Sequence, residues 1–284
     1  MLEIDPQKTI TKELHQYLLS SIGPRPIALA STIDNQGNNN VSPFSFFNIF
    51  SANPPIAIFS PARRVRNNTT KDTLINIQTT KEVVINIVNY DIVEQTSLAS
   101  NEYPSEIDEF IKAGFTPIKS KKVKPFRVKE SPIQLECKVN QIIQLGLNGG
   151  AGNLIISEII MIHIDESILD ENKKIDPNKI KLVGRMGSNW YSKAFNDALF
   201  KINKPSSKLG IGFDNIPQDV RANPIFNKND LAKLGGINKL PSKHERNMFK
   251  KKYPNQSKKE CYLKAKKQLD NGDIENAWLY LLSY

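Results

Sequence analysis

The chain has 284 residues, 39% hydrophobic and 24% charged, a composition that excludes wholesale disorder and allows a core of ordinary size. No stretch approaches the roughly 20 apolar residues of a membrane-spanning helix, and the opening MLEIDPQKTITKEL lacks the apolar core of a secretory signal. The net charge of +10 is uneven: residues 205–284 hold fifteen Lys/Arg against eight Asp/Glu, so +7 lies there and +3 in residues 1–204.

In chain order, residues 12–20 read as a short helix in an N-terminal arm, followed by a rigid turn at Gly23-Pro24-Arg25-Pro26. Residues 27–33 form a strand, and the turn cluster 34–38 predicts a hairpin with a returning strand over 41–50, where Pro43 marks an irregularity. After Asn53-Pro54-Pro55, residues 56–60 form a short buried strand. Thr70 or Asp72 N-caps a helix to about Thr79. Residues 82–88 are a β-branched strand. Residues 91–100 and 108–113 are helical, the latter closed by Gly114. Residues 133–147 and 154–164 are long strands joined at 148–153. A polar excursion at 177–180 precedes 182–185 and the run Met186-Gly187-Ser188-Asn189-Trp190-Tyr191.

Hairpin-linked strands with a few inserted helices describe an antiparallel barrel of the α+β class, not a doubly wound sheet. Beyond Lys204 the character changes. Residues 205–241 read as loop, and 242–252 and 257–284 as helices. Leu263, Ala265, Leu269, Ile274, Ala277, Trp278, Leu281 and Leu282 make one apolar side of a helical hairpin turning at Asn271-Gly272. The expected organisation is a domain over 1–204 and an extension over 205–284 docked on it, with 205–241 wrapping toward the binding pocket.

Several chemistries find no support. Gly149-Gly150-Ala151-Gly152 lies between two strands, whereas a dinucleotide fingerprint needs a helix behind it. His15, His163 and His244 have no partner at metal-ligand spacing, so no metal is expected. No Ser, His and Asp arrangement reads as a nucleophilic triad. Cys137 reads as a buried strand residue. Two distant cysteines, Cys137 and Cys261, predict no disulfide framework and fit a reducing cytoplasm.

The richest region is 25–73. Arg63, Arg64, Lys71, Thr70 and Thr73 offer cations, hydroxyls and a helix start, the set a phosphate group requires. Ser45 and Ser60 suit a polyol chain, and Phe46, Phe47 and Asn48 suit a flat ring with polar edges. Each piece alone has a plainer reading: core aromatics, solvated loop cations, a helix start without ligand.

Their joint spacing carries a resemblance. Arg25-Pro26-Ile27-Ala28-Leu29-Ala30-Ser31-Thr32, Asp34…Gly37…Asn40 and Ser42-Pro43-Phe44-Ser45-Phe46-Phe47-Asn48 lead it. Asn53-Pro54-Pro55, Lys71-Asp72-Thr73 with Asn76-Ile77, Val83-Val84-Ile85-Asn86, Asp108-Glu109-Phe110…Ala113-Gly114, Glu130-Ser131-Pro132 with Glu136-Cys137, and Gly184-Arg185-Met186-Gly187…Tyr191 follow in order. Over about residues 10–200 the chain resembles the flavin reductase-like domain family, flavoredoxin among its relatives. The resemblance implies an FMN-binding split barrel and a homodimer with flavin near the interface. By it, Ser45, Phe46, Phe47 and Asn48 line the ring. Ser60, Arg63, Lys71, Asp72 and Thr73 hold ribityl and phosphate. Arg185, Trp190 and Tyr191 complete the pocket. Gly187-Ser188-Asn189 stands where relatives often carry Gly-Gly.

The leading expectation is an FMN-dependent oxidoreductase that moves electrons from NAD(P)H through FMN to a flavin, a metal complex or another small-molecule or protein acceptor. The flavin carries the chemistry, so no catalytic acid or base is expected. An FMN electron carrier without NAD(P)H turnover is the alternative. A basic tail binding nucleic acid, motivated by Lys250-Lys251-Lys252-Tyr253 and Lys258-Lys259, is a third reading, disfavoured because no RNA-recognition signature accompanies it. No membrane partner is expected.

Overall fold

The first strand is buried on both faces. Ala28 and Ala30 cluster with Phe44, Phe59 and Ile85, while Leu29 faces Val41, Val88 and Phe110, the two-residue alternation of a strand between two layers. These relations come from a computed structural model, which describes residues 1–202 and 209–284.

In chain order the elements are α1 (Thr11–Ser21), β1 (Ala28–Ile33), β2 (Asn39–Phe44), β3 (Phe47–Ala52), β4 (Pro55–Phe59), α2 (Asp72–Thr80), β5 (Glu82–Ile87), α3 (Val93–Leu98), α4 (Glu109–Ala113), β6 (Pro117–Ile118), β7 (Arg127–Val128), β8 (Ile133–Gln144), β9 (Asn153–Ile164), α5 (Pro177–Ile180), β10 (Val183–Arg185) and β11 (Tyr191–Lys193). Then come α6 (Gln218–Arg221), α7 (Lys228–Gly235), α8 (Lys243–Lys252), α9 (Lys258–Asp270) and α10 (Ile274–Leu281).

One antiparallel sheet takes the order β2-β1-β5-β8-β9-β4-β3. Its two edge strands, β2 and β3, are separated in sequence by only Ser45 and Phe46. Three Cα steps reach about 11 Å, so the sheet must curl until its edges meet at that corner. The two edges do not pair with each other, and the barrel is split. The single strand expected over 41–50 is therefore two. Pro43 is not the break: it pairs with Leu29 on an edge strand, where a missing N–H is harmless.

Other expectations shift by local physics. Helix α2 starts at Asp72 with Lys71 at its N-cap and no side-chain cap, so neither Thr70 nor Asp72 caps it. Residues 90–92 form a 3₁₀ turn before α3. The Asp108 side chain accepts the Phe110 N–H, and Gly114 closes α4 with φ 69°. The 133–147 strand stops at Gln144. The polar excursion at 177–180 is a helical turn capped by Asp176.

Compact units form at Met1–Phe200 and Lys201–Tyr284; the boundary expected between Lys204 and Pro205 lies outside the described residues. In the second unit, α6 and α7 occupy a segment expected to be loop. The missed signal is the capping box of Asn227 and Asp230, a helix start partly hidden by the Pro/Gly-rich composition around it. Helices α9 and α10 turn at 271–272 as expected, and Ala265, Leu269, Ala277, Trp278 and Leu281 join Ile216, Val220, Phe226, Leu231, Leu234 and Tyr262 in one core. Leu263 instead faces solvent. No helix among the described residues is long and apolar enough to cross a membrane.

Glu136 on β8 shows how the barrel fixes its flanking loop. Its fully buried carboxylate accepts the backbone N–H groups of Lys121 (2.8 Å), Lys122 (2.5 Å) and Val123 (3.2 Å) and lies 2.6 Å from His163 Nε2. Burial pushes the carboxyl upward, but these donors and His163 outweigh it and hold the group below the usual range. Glu136→Gln is expected to cost about 2–3 kcal/mol in urea denaturation at pH 7, because buried N–H groups lose a charged acceptor. The stability that Glu136 confers is present above the unfolded carboxyl value of about 4.3 and is lost as pH falls through its lower folded value. The variant's stability should fall less than the wild type's over that acid range.

Candidate flavin site

The Ser45–Phe46 corner is held from below by Arg25, which is 6% exposed. Its Nε donates to Ser45 Oγ (3.3 Å), Nη1 to the carbonyls of Leu19 and Ile22 (both 2.5 Å), and Nη2 to the Met186 carbonyl (3.0 Å). Burial, then the charge of Arg185, lowers its pKa. Beyond the corner, side chains alternate. Phe47 packs against the barrel core, while Phe46 is 41% exposed and meets His15 edge-on. Asn48 faces solvent, its Oδ1 accepting the Ile49 N–H. The expected ring wall is thus divided: Phe46 and Asn48 are open to a ligand, and Phe47 serves the core.

Ser60 follows β4. Its N–H donates to the Phe46 carbonyl at 2.9 Å, and its buried hydroxyl accepts the Asn153 N–H at 3.0 Å. A Cβ at Gly152 would fall 2.6 Å from Ser60 Oγ, so glycine is needed for this approach. Arg63 donates through Nε and Nη2 to Asn68 within its own loop (both 2.6 Å). Arg64 is the cation that acts on Lys71: it is the second cause, after burial, that brings the Lys71 ammonium down to about 8, against an opposing pull from Glu109. Lys71 donates to Ser42 Oγ at 2.8 Å and sits 5.1 Å from the Phe44 ring centroid.

Thr73 is fully buried, and its hydroxyl donates to Asn40 Oδ1 at 2.7 Å. Asn40 Nδ2 donates to Glu109 (3.0 Å), whose other oxygen accepts the Val41 N–H (3.2 Å). Burial raises the Glu109 pKa. Thr73 therefore pins the first turn of α2 to β2, leaving its backbone N–H, not its hydroxyl, for a ligand. Asp72 opens the helix beside it.

This arrangement fits a phosphate group. Arg64 lies close enough to lower the Lys71 pKa, the helix behind them starts without a side-chain cap, and Arg64 Nε is a shielded donor with no aligned acceptor. Like charges held together are unfavourable until an anion joins them, and a helix N-terminus favours one. Among the described residues no His/Cys/Asp/Glu group could hold a metal ion.

The β10–β11 hairpin presents the remaining residues. Arg185 exchanges backbone hydrogen bonds with Arg25 (3.0 and 2.8 Å). Its guanidinium lies 4.6 Å from the Tyr191 ring centroid, and Nη1 donates to the Trp190 carbonyl (3.0 Å). Trp190 is 75% exposed. Ser188 has φ 50°, a left-handed conformation that glycine adopts more easily. Arg25 thus links Ser45 to this hairpin, joining segments some 140 residues apart. The site roles of Arg25, Asn40 and Glu109 have no signature in the local sequence. Asn40 and Glu109 are 69 residues apart, beyond any local pattern.

Lys71 binds its proton less tightly when folded than when unfolded, since about 8 lies below the unfolded lysine value of about 10.4. Wild-type stability is expected to rise as pH increases from about 8 toward about 10. Lys71→Met should show a flatter profile in thermal melts over that range.

A family model described as "Flavin reductase like domain" matches residues 20–179. An uncharacterized protein of Aquifex aeolicus is 36% identical over 201 residues, spanning 71% of this chain and all of the relative. Nitrilotriacetate monooxygenase component B from Bacillus cereus is 29% identical with a TM-score of 0.66, covering 71% of this chain and 98% of that one. The 2-nitrobenzoate 2-nitroreductase of Pseudomonas fluorescens is 25% identical with a TM-score of 0.63, covering 72% and 100%. With the split barrel and the cationic seat in place, these matches establish that the chain belongs to the flavin reductase like domain family.

Proposed function

We propose that the protein is an FMN-dependent oxidoreductase that takes electrons from NAD(P)H and passes them to a flavin, a metal complex or another small-molecule or protein acceptor. The observation that carries the reading is the seat formed by Arg64, Lys71 and the uncapped start of α2, in a chain whose Phe46 and Asn48 stand open to solvent. Lys71, Arg64 and the first N–H groups of α2 would hold the phosphate. Ser45 and Ser60 would face the ribityl chain, and Phe46 and Asn48 the ring. When bound, FMN supplies hydride and single-electron transfer. The chain's own part is to fix that ring by its phosphate, to donate hydrogen bonds along its edge and to leave one face reachable. Membership of the family, and a 2-nitrobenzoate 2-nitroreductase among similar structures, support redox chemistry.

A homodimer is part of the proposal. Strand β3 is a sheet edge with Ile49 and Phe50 exposed at 48% and 65%. Ile162 and Ile164 on β9 and Trp190 are also open. An apolar edge strand invites pairing, and a second copy is the partner that would cover it and supply Arg185, Trp190 and Tyr191 to a neighbouring flavin. Light scattering should give twice the chain mass; a monomer at micromolar concentration counts against this.

The functional test is a visible spectrum of the purified protein, an FMN titration, and aerobic NAD(P)H oxidation. Bound FMN and flavin-dependent oxidation are expected. Lys71→Met should weaken FMN at least tenfold, for loss of a charged hydrogen bond, and leave riboflavin, which lacks the phosphate, nearly unchanged. A protein that binds no FMN sinks the proposal. One that binds FMN without turnover of either nicotinamide is an electron carrier.

A further inference from the structure

Arg64 has a competitor at its side. Its Nη1 is satisfied by Thr69 Oγ1 (2.9 Å) and the Thr70 carbonyl (2.8 Å). Its Nε lies 3.0 Å from a carboxylate oxygen of Glu102, yet that contact is not aligned as a hydrogen bond. The other Glu102 oxygen pairs with Arg66. Glu102 lies beyond the C-terminus of α3, on a different segment from the Arg64 loop, and it places negative charge against Arg64 and Arg66.

We propose that Glu102 is an affinity- and specificity-determining residue for the phosphorylated flavin, its carboxylate competing with the ligand's phosphate for Arg64 and Arg66. The inference rests on the reading that this seat takes the phosphate of FMN. Two features decide its sign. Thr69 and Thr70 hold the Arg64 guanidinium without help from Glu102, so losing the carboxylate does not release the arginine. Removing a negative charge next to an anion seat also lowers repulsion, and both effects favour the ligand. Exposure decides the size. The side chains of Glu102 and Arg66 are 40% and 67% exposed, so the pair is screened and weak. A phosphate dianion, more highly charged and able to align with Nε, displaces it. Such a carboxylate makes the flavin exchangeable, and it narrows the advantage of a phosphorylated flavin over one without phosphate.

The test compares full-length wild type with Glu102→Gln by flavin fluorescence, using FMN and riboflavin at low and high salt. FMN is expected to bind about threefold to fivefold more tightly to the variant, the loss of one exposed ion pair, and to leave more slowly. Riboflavin affinity and the melting temperature should not change, and the gain should shrink at high salt. Weaker FMN binding would show that Glu102 braces Arg64, and unchanged binding would show no competition; either overturns the proposal. Inorganic phosphate, titrated alone by calorimetry, gives the same contrast without the ring. Tighter phosphate binding by the variant supports competition even if neither protein binds FMN, an outcome that would defeat the flavin reading alone. Equal or weaker phosphate binding defeats the competition.

Discussion

The Arg25 guanidinium is the interaction on which the site depends. A buried cation is costly unless its donors are used, and Arg25 uses them on three separate segments: Ser45 at the corner, the C-terminal end of α1, and Met186 ahead of β11. The carbonyls at the end of α1 have no partners within the helix and carry the negative end of its dipole, so the arginine meets a need there as well as having its own met. This one side chain fixes the point at which the open edges of the sheet come together. The backbone bonds between Arg25 and Arg185 bring the last hairpin to the same point. An arginine is required: lysine cannot reach three directions with a planar fork.

Around α2 the balance runs the other way. Lys71 and Arg64 disfavour each other, and the folded chain holds Lys71 at the cost of a depressed pKa. The chain Thr73–Asn40–Glu109 and the bond from Asn76 to Thr32 keep the helix start in register despite that repulsion. A site that binds an anion stores unfavourable electrostatics in its absence, and the surrounding hydrogen bonds prevent its relaxation. Glu102, at the solvent side, partly relieves the same charge.

Much of this was readable from residues. The 34–38 turn, the two long strands before 164, the Gly114 stop and the 271–272 turn depend on local rules, and the structure reproduces them. The break at Ser45 was not readable, because an apolar run with one proline looks like a single irregular strand; the separation appears only once β4 claims one half and β1 the other. Arg63 and Arg64 are adjacent and chemically equal in sequence. Their difference lies in their partners: Arg63 donates to Asn68, whereas Arg64 donates to Thr69 and Thr70 and lies near enough to Lys71 to lower its pKa. The Thr73 hydroxyl reads in the sequence as part of a phosphate-binding set; tertiary contact turns it to Asn40, which no local pattern shows.

The Lys201–Tyr284 unit sharpens what the family match covers. The matched model ends at residue 179, while every residue assigned to the candidate site lies between Arg25 and Tyr191. The second unit has a core of its own, centred on the fully buried Trp278, whose indole N–H donates to the Leu234 carbonyl at 3.0 Å. Capping boxes start α7, α8 and α9, and Asp219 gathers Tyr262, Tyr284 and Lys258. Those internal devices account for its helices without calling on the barrel. The +7 excess of residues 205–284 lies mostly on exposed lysines, outside the apolar core. Some of its lysines are tied to the fold, Lys258 to Asp219, Lys266 to Asp230 and Lys233 to the Leu269 carbonyl, as Arg25, Arg64 and Lys71 are in the barrel by what they touch.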